Sequence, residues 1–160
     1  MSDIDSIITD ILSREGGFSN NPADRGGRTD KGITERDHPT AWADGTVTDK
    51  EARDIYRQKY VNGPGFDKIP SIPLMAQLVD FGVNSGPQLA IMKLQGILGV
   101  TVDGILGPDT LATLATREPR EVCNRLAVER VKMLGRICAR DKSQIVFLNG
   151  WIDRAVQWVK

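Results

Sequence analysis

Apolar residues recur at helical spacing along most of the chain, and this periodicity limits its fold more than any other feature. Near the N-terminus the i, i+3, i+4, i+7, i+8 pattern is formed by Ile4, Ile7, Ile8, Ile11 and Leu12. Similar patterns begin near Thr48, Pro73, Leu89 and Pro119. The stretch at residues 17–34 lacks the pattern and is rich in glycine and turn-forming residues. The sequence therefore predicts a mainly α fold with a small irregular or β region near residues 17–34.

Local residue types predict where several of these helices begin and end. Thr48 and Glu51 have the spacing of a capping box, which favours a helix start at this point. Pro108 and Pro119 suit the first turn of a helix, where no backbone N–H is needed. Gly99 follows an apolar helical pattern and suits the left-handed residue that ends many helices.

The charge balance argues against one class of partner. The chain has 160 residues, with 21 Lys and Arg against 21 Asp and Glu, so its formal net charge is zero. A uniformly basic nucleic-acid-binding protein is therefore disfavoured, and we expect no nucleic-acid partner. Residues 117–160 nevertheless carry an excess of five positive charges. This basic region is either a contact for an anionic cell wall or phospholipid surface, or an ordinary solvated helix face.

Cysteine and histidine usage argues against disulfide and metal chemistry. Cys123 and Cys138 lie in one predicted helix, where 15 residues span about 22 Å, too far for a disulfide. We expect them to be buried thiols on the apolar stripe. His38 is the single histidine, which gives little support to a zinc site or a Ser-His-Asp triad. We therefore expect no metal and no cofactor.

The most informative stretch for chemistry reads EGGFSNNPADRGGRTDKGIT and begins at Glu15. Glu15 continues the buried stripe of the first helix, where desolvation raises a carboxyl pKa as a general acid requires. Asp24 follows in a turn, where it is better solvated and more readily ionised. Two carboxyl groups in different environments are typical of glycosidic bond hydrolysis. Thr29 is a candidate to hold a water or a sugar hydroxyl, and Gly16 and Gly17 permit a close approach of substrate.

A simpler interpretation of these residues competes with the catalytic one. A glutamate before two glycines at a helix end is most often a solvated charge, and an aspartate in a turn is most often structural. The helix dipole, however, disfavours Glu15 at the C-terminal end of its helix. Residues that break such local rules concentrate at functional sites, which favours the catalytic interpretation.

The same stretch resembles the opening signature of glycoside hydrolase family 108, the muramidases of phage endolysins. The resemblance continues through EARDIYRQKY (51–60), LVDFGVNSGP (78–87) and LQGILGVTVDGILGPDTL (94–111), and it reaches Gly150-Trp151. It implies a lysozyme-like helical domain that hydrolyses the β-1,4 bond between N-acetylmuramic acid and N-acetylglucosamine in peptidoglycan. It also implies that Glu15 is the catalytic acid.

The resemblance suggests roles for further residues and shows some departures. Its Glu, Asp, Thr order is similar to that of other phage lysozymes, although four residues rather than five separate Asp24 from Thr29. The family signature often has Tyr at the position of Phe18, Asn at that of Asp30, and Trp at that of Val61. As substrate-binding residues we expect Gly16, Gly17, Asn84 and Tyr60.

The resemblance also predicts the organisation and setting of the protein. We expect a catalytic muramidase part at residues 1–92 and a peptidoglycan-binding-like helical part at 93–160, packed into one globular unit. We expect a monomer whose partner is the peptidoglycan glycan strand. No signal peptide or membrane span is visible in the sequence. We therefore expect an endolysin that stays in the host cytoplasm until the membrane is permeabilised and then reaches the periplasm and cell wall.

Two other functions stay open at this point. A lytic transglycosylase also needs a single glutamate, but it produces anhydromuramic acid ends. A non-catalytic wall-binding or secretion-accessory protein would keep the scaffold and lack the activity.

Overall fold

The structure, a computed structural model, describes residues 3–14, 17–18 and 28–159. It is mainly α, which confirms the fold predicted from the hydrophobic periodicity. Its contacts divide the chain into two compact units, Met1–Gly63 and Pro64–Lys160. Among the described residues, no helix combines the length and the hydropathy that a membrane span requires.

The described residues of the first unit form two α-helices, a short hairpin and a π-helical turn. In chain order these are α1 (Asp3–Leu12), β1 (Thr29–Asp30), β2 (Ile33–Thr34), α2 (Asp49–Arg57) and the π-helical turn (Gln58–Asn62). The apolar stripe of α1 is buried, and α1 contacts α2. Arg53 Nη1 on α2 donates a hydrogen bond to Thr9 Oγ1 on α1 at 2.7 Å, and Arg57 forms an ion pair with Asp5. Apolar burial and these polar contacts together align the two helices.

Both ends of the α2 segment follow from local chemistry. The predicted capping box is confirmed, because Thr48 Oγ1 accepts from Glu51 N and the Glu51 carboxylate accepts from Thr48 N. At the other end, Gly63 N donates to Gln58 O at 2.8 Å across the π-helical turn. A Cβ at Gly63 would lie 2.7 Å from that oxygen, so only glycine fits at this position.

The second unit is built from five α-helices and two 3₁₀ turns. The α-helices are α3 (Ile72–Ser85), α4 (Pro87–Leu98), α5 (Pro108–Ala115), α6 (Pro119–Arg140) and α7 (Leu148–Val156). The 3₁₀ turns are Phe66–Lys68 and Lys142–Phe147. Helix α3 contacts α4, α6 and the first 3₁₀ turn, and it is buried on all sides from Leu74 to Gly82. It is therefore the central helix of this unit.

Several predicted details of the second unit are confirmed. Helices α5 and α6 begin at Pro108 and Pro119, and α4 ends before Gly99, whose φ is +76°. Cys123 and Cys138 are both free and buried. The local sequence signals therefore located these helix ends correctly.

Candidate active site

Only some of the predicted catalytic residues lie in the part of the chain that the structure describes. Glu15, Gly16 and Asp24 lie outside the described residues, and their roles stay predictions. Thr29 lies on the β1–β2 hairpin of the first unit, and Gly17 is an exposed residue of the same unit. The structure therefore describes the hairpin that carries Thr29 and the residues packed around it.

The side chain of Thr29 carries a buried hydroxyl whose hydrogen-bonding capacity the described residues leave unused. Thr29 pairs with Thr34 across the antiparallel hairpin, whose turn uses the positive φ angles of Lys31 and Gly32. The Thr29 Oγ1 atom is buried and makes no hydrogen bond within the described part of the chain. A buried hydroxyl without a partner is costly, so a water or substrate hydroxyl would stabilise it.

An ion pair closes the base of the hairpin. Arg28 donates two hydrogen bonds to the Glu35 carboxylate, from Nε at 2.9 Å and from Nη2 at 2.7 Å. The Arg28 guanidinium also lies 5.0 Å from the ring centroid of Trp42. Hydrogen bonding to Arg28 holds the pKa of Glu35 below its usual range. Glu35 therefore stays ionised near neutral pH and does not suit the role of a general acid.

The third acid of the signature, Asp30, is also engaged by a cation. Lys31 Nζ lies 3.3 Å from the Asp30 carboxylate and 3.2 Å from that of Asp49, and it donates to Val47 O at 2.8 Å. Although burial opposes the change, hydrogen bonds to Asp49 and Asp30 raise the pKa of Lys31. Tyr56 Oη donates to Lys31 O at 3.1 Å, which also holds the turn in place. Asp30 therefore has a structural partner for its charge.

Two aromatic residues of the first unit differ sharply in exposure. Trp42 is 3% exposed and belongs to the core, whereas Phe18 is 62% exposed. Their ring centroids lie 6.3 Å apart. The Phe18 ring, which follows the two glycines of the signature, therefore offers an exposed face to a ligand. Phe18 was not among the binding residues predicted from the sequence, although its place directly after Gly16 and Gly17 in the signature was the available signal.

Tyr60, predicted to bind substrate, lies in the π-helical turn. Its ring packs against Tyr56 at a centroid distance of 5.3 Å, and Lys59 Nζ lies 5.4 Å from the Tyr60 ring. Single π-helical turns are rare and occur often at functional sites. Contact of Tyr60 with substrate stays a prediction.

The single histidine has no cluster of metal-ligating side chains around it among the described residues. Burial lowers the pKa of the His38 imidazole, and the nearby Lys59 lowers it further. No three His, Cys, Asp or Glu residues of the described ranges lie close enough together to hold a metal ion.

Asn84, the other predicted binding residue, lies near the end of α3 in the second unit. Its Nδ2 donates to Asp80 O at 2.6 Å, so part of its amide supports the helix end. Asn84 also lines a small pocket of about 140 Å³ together with Ser85, Trp151 and Arg154. Two segments that carry the family resemblance, LVDFGVNSGP and Gly150-Trp151, therefore meet at this pocket.

Beside this pocket lies a buried charge cluster that the sequence analysis missed. The Asp80 carboxylate accepts from Arg130 Nη1 at 2.6 Å and from Arg154 Nε at 2.8 Å, which joins α3, α6 and α7. The side chains of Asp80 and Arg130 are 2% and 4% exposed. The available signal was an aspartate within the largely apolar run LMAQLVDFGV (74–83).

Comparison with known proteins gives the family. Residues 8–86 match the family described as Glycosyl hydrolase 108, and residues 89–156 match the family described as Predicted Peptidoglycan domain. Residues 8–86 belong to glycosyl hydrolase family 108. This family 108 protein is a glycoside hydrolase that binds and hydrolyses peptidoglycan.

One solved structure extends the likeness over the whole chain. The structure of Brucella abortus SagA is similar over 98% of this chain and 95% of that chain, with 28% identity and a TM-score of 0.72. No curated protein matches the chain.

A buried glutamine organises the loop after α4 in the peptidoglycan domain of this family 108 hydrolase. Gln95 Oε1 accepts from Asp103 N at 3.0 Å and from Gly104 N at 2.9 Å. Gln95 Nε2 donates to Asp103 Oδ1, Ile105 O and Thr110 Oγ1 at 2.7, 2.9 and 3.2 Å. The hydrogen-bonded residues of the segment LQGILGVTVDGILGPDT thus form one network around Gln95. In the described structure this network fixes the loop after α4.

Proposed function

We propose that the protein cleaves the β-1,4 bond between N-acetylmuramic acid and N-acetylglucosamine, with Glu15 as the acid that protonates the leaving oxygen. The family assignment supports the class of reaction. The observation that carries the site is the buried hydroxyl of Thr29 on the signature hairpin, which has no hydrogen-bond partner among the described residues. Asp30 and Glu35 are paired with Lys31 and Arg28, so we assign the role of general acid to neither of them.

In this mechanism Asp24 assists Glu15 in one of two ways. It stabilises the positive charge that develops on the sugar, or it activates a water that Thr29 holds. A separation of about 5 Å between the two carboxyl groups is typical of retaining enzymes, and about 6.5–9.5 Å of inverting ones. Both routes give a hydrolysed product with a reducing N-acetylmuramic acid end.

The remaining assignments complete the proposal. Gly16 and Gly17 allow the glycan to approach the catalytic acid closely, and Tyr60 and Asn84 contact it. A muramidase part at residues 1–92 cleaves the strand, and a part at 93–160 binds peptidoglycan. The monomer acts as a phage endolysin, which leaves the host cytoplasm after the inner membrane is permeabilised and degrades the wall.

The deciding experiment replaces Glu15 with glutamine, which keeps the shape and removes the proton donor. We expect Glu15→Gln to slow the clearing of purified murein about 10²–10⁴-fold, the usual contribution of a general acid. The variant should still sediment with murein. The control is Asp54→Asn, which makes the same carboxylate-to-amide change at an exposed position of α2 and should clear murein at the wild-type rate.

Product analysis and turbidity together identify the alternatives. Clearing by Glu15→Gln at the wild-type rate would show that Glu15 is not the acid. Mass spectrometry of the digest should find reducing N-acetylmuramic acid ends. Anhydromuramic acid ends as the main product would instead identify a lytic transglycosylase.

A further inference from the structure

The second unit has an open groove between α4 and α6, flanked by the loop that follows α4. Its volume is about 600 Å³. Three large apolar side chains line it and remain exposed: Met92 on α4, Val102 on the loop and Val128 on α6, which are 38%, 49% and 51% exposed. A contiguous set of exposed apolar side chains on a domain surface is typical of a binding site.

The groove also carries an excess of positive charge. Its charged lining residues are Lys93, Arg125, Lys132 and Glu129, so three cations face one carboxylate. Glu129 lies 3.0 Å from Lys132 Nζ and 3.7 Å from Lys93 Nζ. The hydrogen bond from Lys132 is the main cause of a lowered pKa at Glu129, which therefore stays ionised and orients both lysines. With Glu129 charged, the groove has a net charge of two positive units.

Arg125 is the cation of this set with the weakest ion pair. Its guanidinium lies 3.9 Å from Glu121 one helical turn away, and its side chain is 52% exposed. Exposed ion pairs at such a distance contribute little, so Arg125 can turn to an incoming anion at small cost.

We propose that this groove binds the stem peptide of peptidoglycan rather than its sugar chain. This inference rests on the proposed function, in which peptidoglycan is the substrate. Stem peptides combine free carboxylates with alanine methyl groups, and these match the cations and the apolar walls of the groove. Neutral sugar rings are usually held by aromatic faces, and no aromatic side chain lines this groove. The groove therefore discriminates by charge and by methyl contacts.

The wall that carries Val102 is fixed before a ligand arrives. Gln95 accepts hydrogen bonds from the loop at Asp103 N and Gly104 N. Gly104 has φ +75°, and a Cβ there would lie 2.6 Å from Gln88 Cγ and 3.3 Å from Met92 Cγ. Because the loop packs this closely on α4, binding costs little ordering of the protein.

The test is calorimetric binding of two muropeptides to the wild-type protein. One is the disaccharide of N-acetylglucosamine and N-acetylmuramic acid with its tetrapeptide, and the other is the same disaccharide without the peptide. In both, N-acetylmuramic acid is the reducing end, so neither contains the bond that the proposed activity cleaves. We expect the peptide-free disaccharide to bind at least about tenfold more weakly, which corresponds to the loss of about 1.4 kcal/mol.

Two double variants with equal charge changes locate the site. Arg125→Glu with Lys132→Glu should weaken tetrapeptide binding about tenfold or more, because it reverses two groove cations. Arg140→Glu with Lys142→Glu changes the net charge equally at exposed positions that do not line the groove, and binding should be unchanged. Should the groove variant fail to fold, replacement of both residues by glutamine provides the same comparison with a smaller charge change.

Three outcomes would overturn the groove assignment: equal binding of both muropeptides, equal weakening by both double variants, or no binding of the tetrapeptide form. Equal weakening would indicate that bulk positive charge, rather than the groove, attracts the wall. These results are independent of catalysis. If Glu15→Gln clears murein normally, the catalytic proposal fails while the calorimetry still decides the groove.

Discussion

Charged contacts in the two units differ in their exposure to solvent. In the first unit, the side chains of Arg28 and Glu35 are 34% and 40% exposed, and the hairpin that bears Thr29 depends on this pair. In the second unit, the side chains of Asp80 and Arg130 are 2% and 4% exposed, and Gln95 is fully buried. Both regions use charged or amide side chains to hold irregular or terminal segments, but the Asp80–Arg130 pair of the second unit is shielded from solvent and the Arg28–Glu35 pair of the first unit is not.

This difference has consequences for how firmly each region is held. Exposed ion pairs contribute little because water screens them, whereas removing one partner of a buried pair leaves an uncompensated charge. We therefore expect loss of the Arg28–Glu35 pair to cost little stability, and loss of one partner in the buried Asp80 cluster to cost much more. Segments that must admit a substrate are commonly drawn from the less stable parts of a protein.

The largest effect should come from removal of the shared carboxylate in the second unit. Asp80→Ala leaves the Arg130 and Arg154 guanidiniums without their acceptor, and burial already lowers the pKa of Arg130. We expect the free energy of unfolding to fall by about 3–5 kcal/mol. Urea unfolding followed by circular dichroism measures this loss.

An exposed aspartate supplies the control for Asp80. Asp54 pairs with Lys50 on the surface of α2, where its side chain is 61% exposed. Asp54→Ala should change the urea midpoint far less than Asp80→Ala. Similar losses for the two variants would mean that burial does not decide the strength of these contacts.

A smaller loss should follow from Gln95→Ala. The substitution removes the acceptor of the Asp103 and Gly104 amides and leaves buried polar groups unsatisfied, which costs about 1–3 kcal/mol. Amide hydrogen exchange at Gly104 should accelerate because the loop opens locally. Gln58→Ala, at an exposed glutamine, is the matched control and should alter neither measurement. Unchanged exchange at Gly104 in Gln95→Ala would show that other contacts hold the loop.

The sequence predicted the elements whose signals are local and missed those that join distant residues. The capping box of Thr48 and Glu51 lies within four residues, and Pro108 marks a helix start without reference to the rest of the fold. Asp80 meets Arg130 and Arg154 from 50 and 74 positions away, and nothing in the local sequence pairs them.

The candidate site shows the same limit. The signature predicts Thr29 as a site residue, but the burial of its hydroxyl without a partner among the described residues depends on hairpin pairing and packing that no local pattern predicts. The segment LQGILGVTVDGILGPDT was visible in the sequence. That Gln95 fixes its loop by hydrogen bonds follows only from the folded structure, because the bonded residues lie eight to fifteen positions apart.

The smallest effect, and the one that depends on pH, should come from Glu35→Gln in the first unit. Because Arg28 lowers the pKa of Glu35, the pair stabilises the fold above the ordinary glutamate pKa of about 4.3, and this contribution is lost as the pH falls through the lowered value. The variant should therefore have a slightly lower urea midpoint than the wild type at pH 7, and the two midpoints should converge in acid. High salt at pH 7 should also reduce the difference, because both side chains are partly exposed. A difference as large as that of Asp80→Ala, or one that persists in acid, would mean that the hairpin is held by more than an exposed ion pair, and the contrast between the two units would not hold.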